Sequence, residues 1–177
     1  TANKHWMLST GVRTNFSKAF GFMYMPKIAV KYSPDEHWAI RANYSMGYRA
    51  PSIKELFFNW DHLGMFQIRG SEDLKPEKNH YFSLGAEYTH NGFFMNVNAY
   101  INKFRNKIEG VWHIYDMQYN FEYTNLSSQR LYGIEAILKW HFLDHFTLNG
   151  TYSYVNVSKQ DGIQVNTTSP HAATASI

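Results

Sequence analysis

Residues 38–51 read WAIRANYSMGYRAP. Through residue 48 every second side chain is apolar or aromatic: Trp38, Ile40, Ala42, Tyr44, Met46 and Tyr48. Between them stand Ala39, Arg41, Asn43, Ser45 and Gly47, small or polar, with Arg49 following. A period of two is that of a β-strand, whose successive side chains leave opposite faces. One face here is broad and oily, and the other is too polar to pack as a dry core. Such a strand needs an apolar medium on one side and water on the other.

Composition narrows what that medium is. With 177 residues the chain is long enough for one domain with a core. Aromatics make up 18%, led by Tyr and Phe, which favours strands. The absence of cysteine excludes a disulfide scaffold and a Cys-based zinc site. The formal charge of +3 comes from Lys and Arg scattered among Asp and Glu, so no nucleic-acid footprint is expected. No run of 18 apolar residues exists, which excludes an ordinary transmembrane helix. A barrel strand, however, crosses a membrane in ~9–11 residues with only alternate ones facing lipid. A mean hydropathy of -0.46 is therefore compatible with a membrane barrel. The chain opens on TANKHWMLSTGV, already strand-like and without a signal peptide, which reads as a mature segment or a fragment.

The alternation recurs along the chain. Strands are expected at about 5–13, 26–32, 38–48, 80–88, from 93, up to 142, from 146, and after Pro170. Phe82, Leu84, Ala86 and Tyr88 oppose Tyr81, Ser83, Gly85 and Glu87, and Met95, Val97, Ala99 and Ile101 oppose Asn96, Asn98, Tyr100 and Asn102. Ile134, Ala136, Leu138 and Trp140 likewise oppose Gly133, Glu135, Ile137 and Lys139. Connections at 33–37, 89–92 and 143–145 are short, and Asn91-Gly92 supplies the positive φ of a tight hairpin. Those at about 14–25, 50–78, 106–122 and 157–169 are long. Short turns at one end and long loops at the other mark an outer-membrane barrel, with the long loops outside. A small soluble barrel would have to fill its interior with Asn96, Asn98, Glu135 and Lys139, whereas a wide wet lumen accommodates them. The expected fold is all-β, an antiparallel transmembrane β-barrel segment of about eight strands.

From residue 47 the words resemble a family. GYRAPSIKELFF, GSEDLKPEKNHYFSLGAEY, FFMNVNAYINKFRNKIE and YTNLSSQRLYGIEAILKW resemble, in order and spacing, the barrel of a TonB-dependent outer-membrane receptor. The resemblance implies a plugged barrel of ~22 strands in the bacterial outer membrane. Residues 1–177 would then be part of that barrel, with the plug, its contact to the TonB complex, and the final strands lying elsewhere. Within the superfamily the chain is most similar to haem and haemoprotein receptors, which carry a YRAP-type box and an NPDL-type box around a histidine-bearing loop. Tyr48, Arg49, Ala50 and Pro51 match the first box; Ser71, Glu72, Asp73 and Leu74 keep only the Asp-Leu end of the second. His62 lies between them. The resemblance thus implies haem as the transported ligand, with no permanent cofactor, and as partners haem or haemoproteins, outer-membrane lipid and the TonB complex. A ferric siderophore or corrinoid is the alternative cargo, and surface recognition without transport the alternative class.

The residues suit those roles. Haem iron takes an axial imidazole and the macrocycle takes flat apolar walls. His62 supplies the first, as haem-iron ligand, and Trp60 and Phe66 the second, with Tyr48, Arg49 and Pro51 completing the expected ligand-binding set. Arg49, Lys54 and Arg69 can meet carboxylates. His80 and His113 are second-rank ligands. Equally, Pro51 cannot donate a ladder bond, which makes the first box a strand-to-loop hinge. KELFF (54–58) favours a helical turn. No GxSxG, HExxH or phosphate-binding glycine loop is present, and no enzyme is expected.

Overall fold

The computed structural model describes residues 5–115, 118–143, 145–158 and 169–177. Its strands are β1 (Trp6–Ser17), β2 (Gly21–Tyr32), β3 (Trp38–Arg49), β4 (Asn59–His62), β5 (Phe66–Arg69), β6 (Glu77–His90), β7 (Phe93–Tyr115), β8 (Gln118–Phe142), β9 (Phe146–Val157) and β10 (His171–Ser176). One short helix, α1 (Ile53–Phe57), lies between β3 and β4. The order β1-β2-β3-β6-β7-β8-β9-β10 is antiparallel throughout, and β4 and β5 join the sheet beside the far part of β8.

Register turns the sequence alternation into two faces. Residues directly opposite in a ladder share a face. One row runs Tyr32, Ile40, Ala86, Val97, Ala136, Tyr152 and Ala173. The neighbouring row on the other face runs Lys31, Arg41, Gly85, Asn98, Glu135 and Ser153. The polar face makes its own bonds: Arg41 donates to Glu87 at 2.8 Å, Asn43 to Ser83 at 3.1 Å and Asn79 to Asn102 at 2.7 Å. Among the described residues nothing packs on the apolar face. Leu8 is 67% exposed and Leu84 59%, and no large side chain among the described residues is fully buried. So much bare apolar sheet is stable only against lipid.

The short-turn end carries an aromatic belt. Trp6 packs against Tyr32 with ring centres 4.4 Å apart, Trp38 against Tyr88 at 4.8 Å and Trp140 against Phe142 at 5.0 Å, each pair tilted. Rings with one oily and one polar edge gather at the membrane–water boundary. Asn91 and Gly92 both take positive φ, as their hairpin requires. No helix among the described residues is long and apolar enough to cross a membrane.

Two expected loops are largely strand. The stretch 14–25 pairs Ser17 with Gly21 and closes on residues 18–20. The stretch 106–122 continues β7 and β8, which pair with one another from Lys107–Leu126 to Tyr115–Gln118 beyond the ends of β6 and β9, with β5 alongside β8 at residues 119–122. The 50–78 connection holds α1, β4 and β5, and β6 begins by Glu77. Most of 157–169, and Asp144 in the 143–145 turn, lie outside the described residues.

Candidate functional site on the outer loops

The connection from β3 to β6 begins at a charged knot. The Arg49 guanidinium donates to both Glu55 oxygens, at 2.9 and 3.0 Å, and to Glu77 at 3.3 Å. Glu77 also accepts from the Ile108 amide at 3.2 Å, tying the loop to β7. Ser52 and Glu55 form a capping box that starts α1: the Ser52 hydroxyl accepts from the Glu55 amide and the Glu55 carboxylate from the Ser52 amide. Pro51 is buried at the turn. The first box is therefore built as a hinge, and its arginine is already engaged by two carboxylates.

Burial pushes the Glu55 carboxyl up, but bonds from Ser52 and Arg49 outweigh it and hold it below the ordinary carboxylate value. A carboxyl depressed on folding contributes stability above its unfolded value and loses it only as pH falls through the lower, folded one. The hinge is thus expected to stay closed throughout the range above the ordinary carboxylate value and to loosen only at pH below it. Exchange protection of the Ile53–Phe58 amides against pH reads this, and opening already near pH 6 would contradict it.

Beyond α1 the chain doubles back. Leu63 and Gly64 take positive φ at the β4–β5 turn, and the Gly64 amide donates to Asp61 at 2.9 Å. Gly70 then passes so close to α1 that a Cβ would lie 2.7 Å from the Leu56 carbonyl group, while its amide donates to the Phe58 carbonyl at 2.6 Å. Ser71 donates to the Glu55 carbonyl at 2.8 Å. Leu74 is buried, and Asn125 of β8 holds Lys75 on both sides, accepting from its amide at 2.7 Å and donating to its carbonyl at 2.9 Å. The second box is a seam as well.

These anchors lay β5 against β8 in a parallel pairing, Phe66 with Tyr119 and Ile68 with Phe121. The result is a continuous aromatic group. His62 lies 5.0 Å from Trp60 and 4.9 Å from Phe66, Phe66 lies 6.1 Å from Trp112, and Trp112 lies 5.1 Å from Phe121. Phe121 occupies the space over Gly110, where a Cβ would meet its ring tip at 1.9 Å. Met65, Phe66, Trp112 and Tyr119 line an open apolar concavity. Trp112 is 55% exposed and Tyr119 57%, so the group faces solvent rather than a core.

Of the sequence-expected residues, the fold brings together His62, Trp60 and Phe66. Tyr48, Arg49 and Pro51 belong to the hinge, and the Tyr48 hydroxyl is buried with no hydrogen-bond partner among the described residues. Lys54 lies 5.2 Å from the Phe58 ring and Arg69 donates to Gln67 at 2.6 Å. His80 bonds Tyr44 at 3.0 Å and shares the apolar face with Phe82, away from the aromatic group. His113, opposite Asn120, leaves β7 on the face opposite Trp112. Trp112, Tyr119 and Phe121 are the residues that sequence reasoning missed; their signal was the alternating aromatic spacing in VWHIY and YNFEY. No cluster of three or more metal-ligating His, Cys, Asp or Glu exists among the described residues.

Known proteins carry the same architecture. The siderophore receptor PirA of Pseudomonas aeruginosa superposes with a TM-score of 0.80 at 18% identity, over 89% of this chain and 32% of that one. The iron-regulated outer membrane virulence protein of Vibrio cholerae is 26% identical over 90% of the chain, and the ferric enterobactin receptor of P. aeruginosa 28% identical over 58%. The chain spans 26% and 15% of the lengths of these two relatives. The profile of the family described as TonB dependent receptor-like, beta-barrel, matches residues 1–177. The chain therefore belongs to the TonB-dependent receptor β-barrels of the bacterial outer membrane.

Proposed function

We propose that these residues form the ligand-capturing part of an outer-membrane uptake receptor for an iron chelate of the ferric siderophore class. The observation that carries this reading is the exposed aromatic group from Trp60 to Phe121, held on two projecting elements. Rigid aromatic faces bind an aromatic or chelate ligand with little ordering cost. The relatives named for iron regulation and for ferric enterobactin support the cargo class. Capture would occur on the loops. A plug carried by the remainder of the receptor would then be moved through the TonB complex, and no catalytic step is involved.

Haem is the second reading, and His62 favours it. Its ring is half-buried against Trp60 and Phe66 and makes no hydrogen bond among the described residues, leaving a nitrogen for iron. The full-length receptor separates the two. Ferric enterobactin should quench its tryptophan fluorescence, and Trp112→Ala should weaken binding on the order of tenfold. A Soret shift with haem that disappears in His62→Ala, with no response to ferric enterobactin, would replace the first reading by the second.

A further inference from the structure

Toward the outer end of β6, β7 and β8, the membrane-facing residues change character. Past the row Phe82, Ile101 and Tyr132, the next residues of that face are His80, Lys103 and Arg130, directly opposite one another. One step further, Lys78 opposes Arg105. Like charges facing each other across a sheet repel. Arg41, Arg49 and Lys107 each meet a carboxylate. Lys78, Lys103, Arg105 and Arg130 have no ion pair among the described residues, and the last three are exposed. This end carries the β3–β6 connection and the projecting β7–β8 hairpin, which makes it the external one. Below the cations, Val30, Ala42, Tyr44, Phe82 and Leu84 line an apolar groove on the same face.

We propose that this patch binds lipopolysaccharide of the outer leaflet, its phosphates on Lys78, Lys103, Arg105 and Arg130 and an acyl chain along the groove. Phosphate oxygens accept charge-assisted bonds from Lys and Arg and cancel the repulsion along the ladder. A water-borne anionic chelate would approach the loops or the polar inner face, whereas these cations sit on the lipid side just above its apolar band. That position selects a headgroup over a soluble ion. The inference rests on the membrane-barrel assignment and is independent of which cargo is transported.

The test titrates purified lipopolysaccharide onto delipidated full-length receptor, read by native mass spectrometry. Each cation at an anionic surface is worth about fivefold, so Lys103→Gln, Arg105→Gln and Arg130→Gln together should weaken binding on the order of 100-fold. Dephosphorylated lipopolysaccharide should bind the unaltered receptor as weakly, and inorganic phosphate should fail to displace the glycolipid. Equal binding by the triple variant, or equal binding of the dephosphorylated glycolipid, overturns the proposal; so does displacement by inorganic phosphate alone. Should the triple variant not assemble, Lys103→Gln and Arg105→Gln singly are each expected to show about a fivefold loss, and no loss overturns it. Ferric enterobactin binding should be unchanged in all of them, which separates failure here from failure of the cargo assignment.

Discussion

Val97→Arg should prevent assembly of the receptor in the outer membrane, while Asn98→Arg, one residue away, should leave it nearly intact. Val97 sits in the apolar row between Ala86 and Ala136, with Ile40 and Tyr152 further along. A guanidinium there meets hydrocarbon, at about 2–4 kcal/mol near the bilayer midplane. The small alanines on either side give it nothing to bond. Asn98 points to the other face, opposite Gly85 and Glu135. An arginine at 98 gains room from the glycine and a carboxylate across the strand. Heat-modifiability of the full-length variants on gels reads assembly directly. Equal assembly of both would contradict the assignment of faces.

The second large effect is expected at Asn125. Its side chain serves three backbone groups: the Lys75 amide at 2.7 Å, the Lys75 carbonyl at 2.9 Å and the Asn106 carbonyl at 2.8 Å. Asn106 has positive φ within β7, so this bond supports an unusual backbone turn as well as the loop seam. Leu74, Ile108 and Leu126, three of the few buried apolar residues, lie at the same junction. Asn125→Ala leaves these groups without partners, at a cost of about 1–3 kcal/mol in local stability. The barrel rows do not depend on the seam, so assembly should persist. Exchange protection should fall at Leu74–Lys75 and in β5, and, under the proposed siderophore reading, ferric enterobactin should bind on the order of tenfold more weakly as the aromatic group loosens. Unchanged protection would show that β5 stays on β8 without this seam.

The contrast between these sites also explains what the sequence revealed. Inside the membrane, lipid on one face and water on the other impose a strict period of two. Residues 38–48, 93–102 and 132–142 therefore announce both strand and face. Beyond the membrane that constraint ends. In KIEGVWHIY and YNFEY both faces meet water or loops, and ladder hydrogen bonds hold the hairpin without a lipid-driven pattern. The stretch read as a loop is strand for that reason. Residues 14–25 failed differently: Phe22, Met23, Tyr24 and Met25 form an unbroken apolar run without alternation, with Gly21 alone to mark the turn. The candidate site was half legible. His62, Trp60 and Phe66 share a face at strand spacing, but their approach to Trp112 and Phe121 depends on a parallel pairing some 50 residues distant, as the Phe66–Tyr119 contact shows. The face of His80 was readable all along, since it shares parity with Phe82.

The membrane-facing alternation itself is tested most directly by cysteine scanning. No cysteine occurs among these 177 residues, so single Cys substitutions from 95 to 102, in a full-length receptor with any cysteines elsewhere replaced, can each carry a nitroxide. Labels at 95, 97, 99 and 101 should be accessible to oxygen in the bilayer and shielded from a water-soluble nickel chelate. Those at 96, 98, 100 and 102 should show less oxygen and more chelate access. Accessibility without a period of two, or with the two sets exchanged, would contradict the fold and everything built on it.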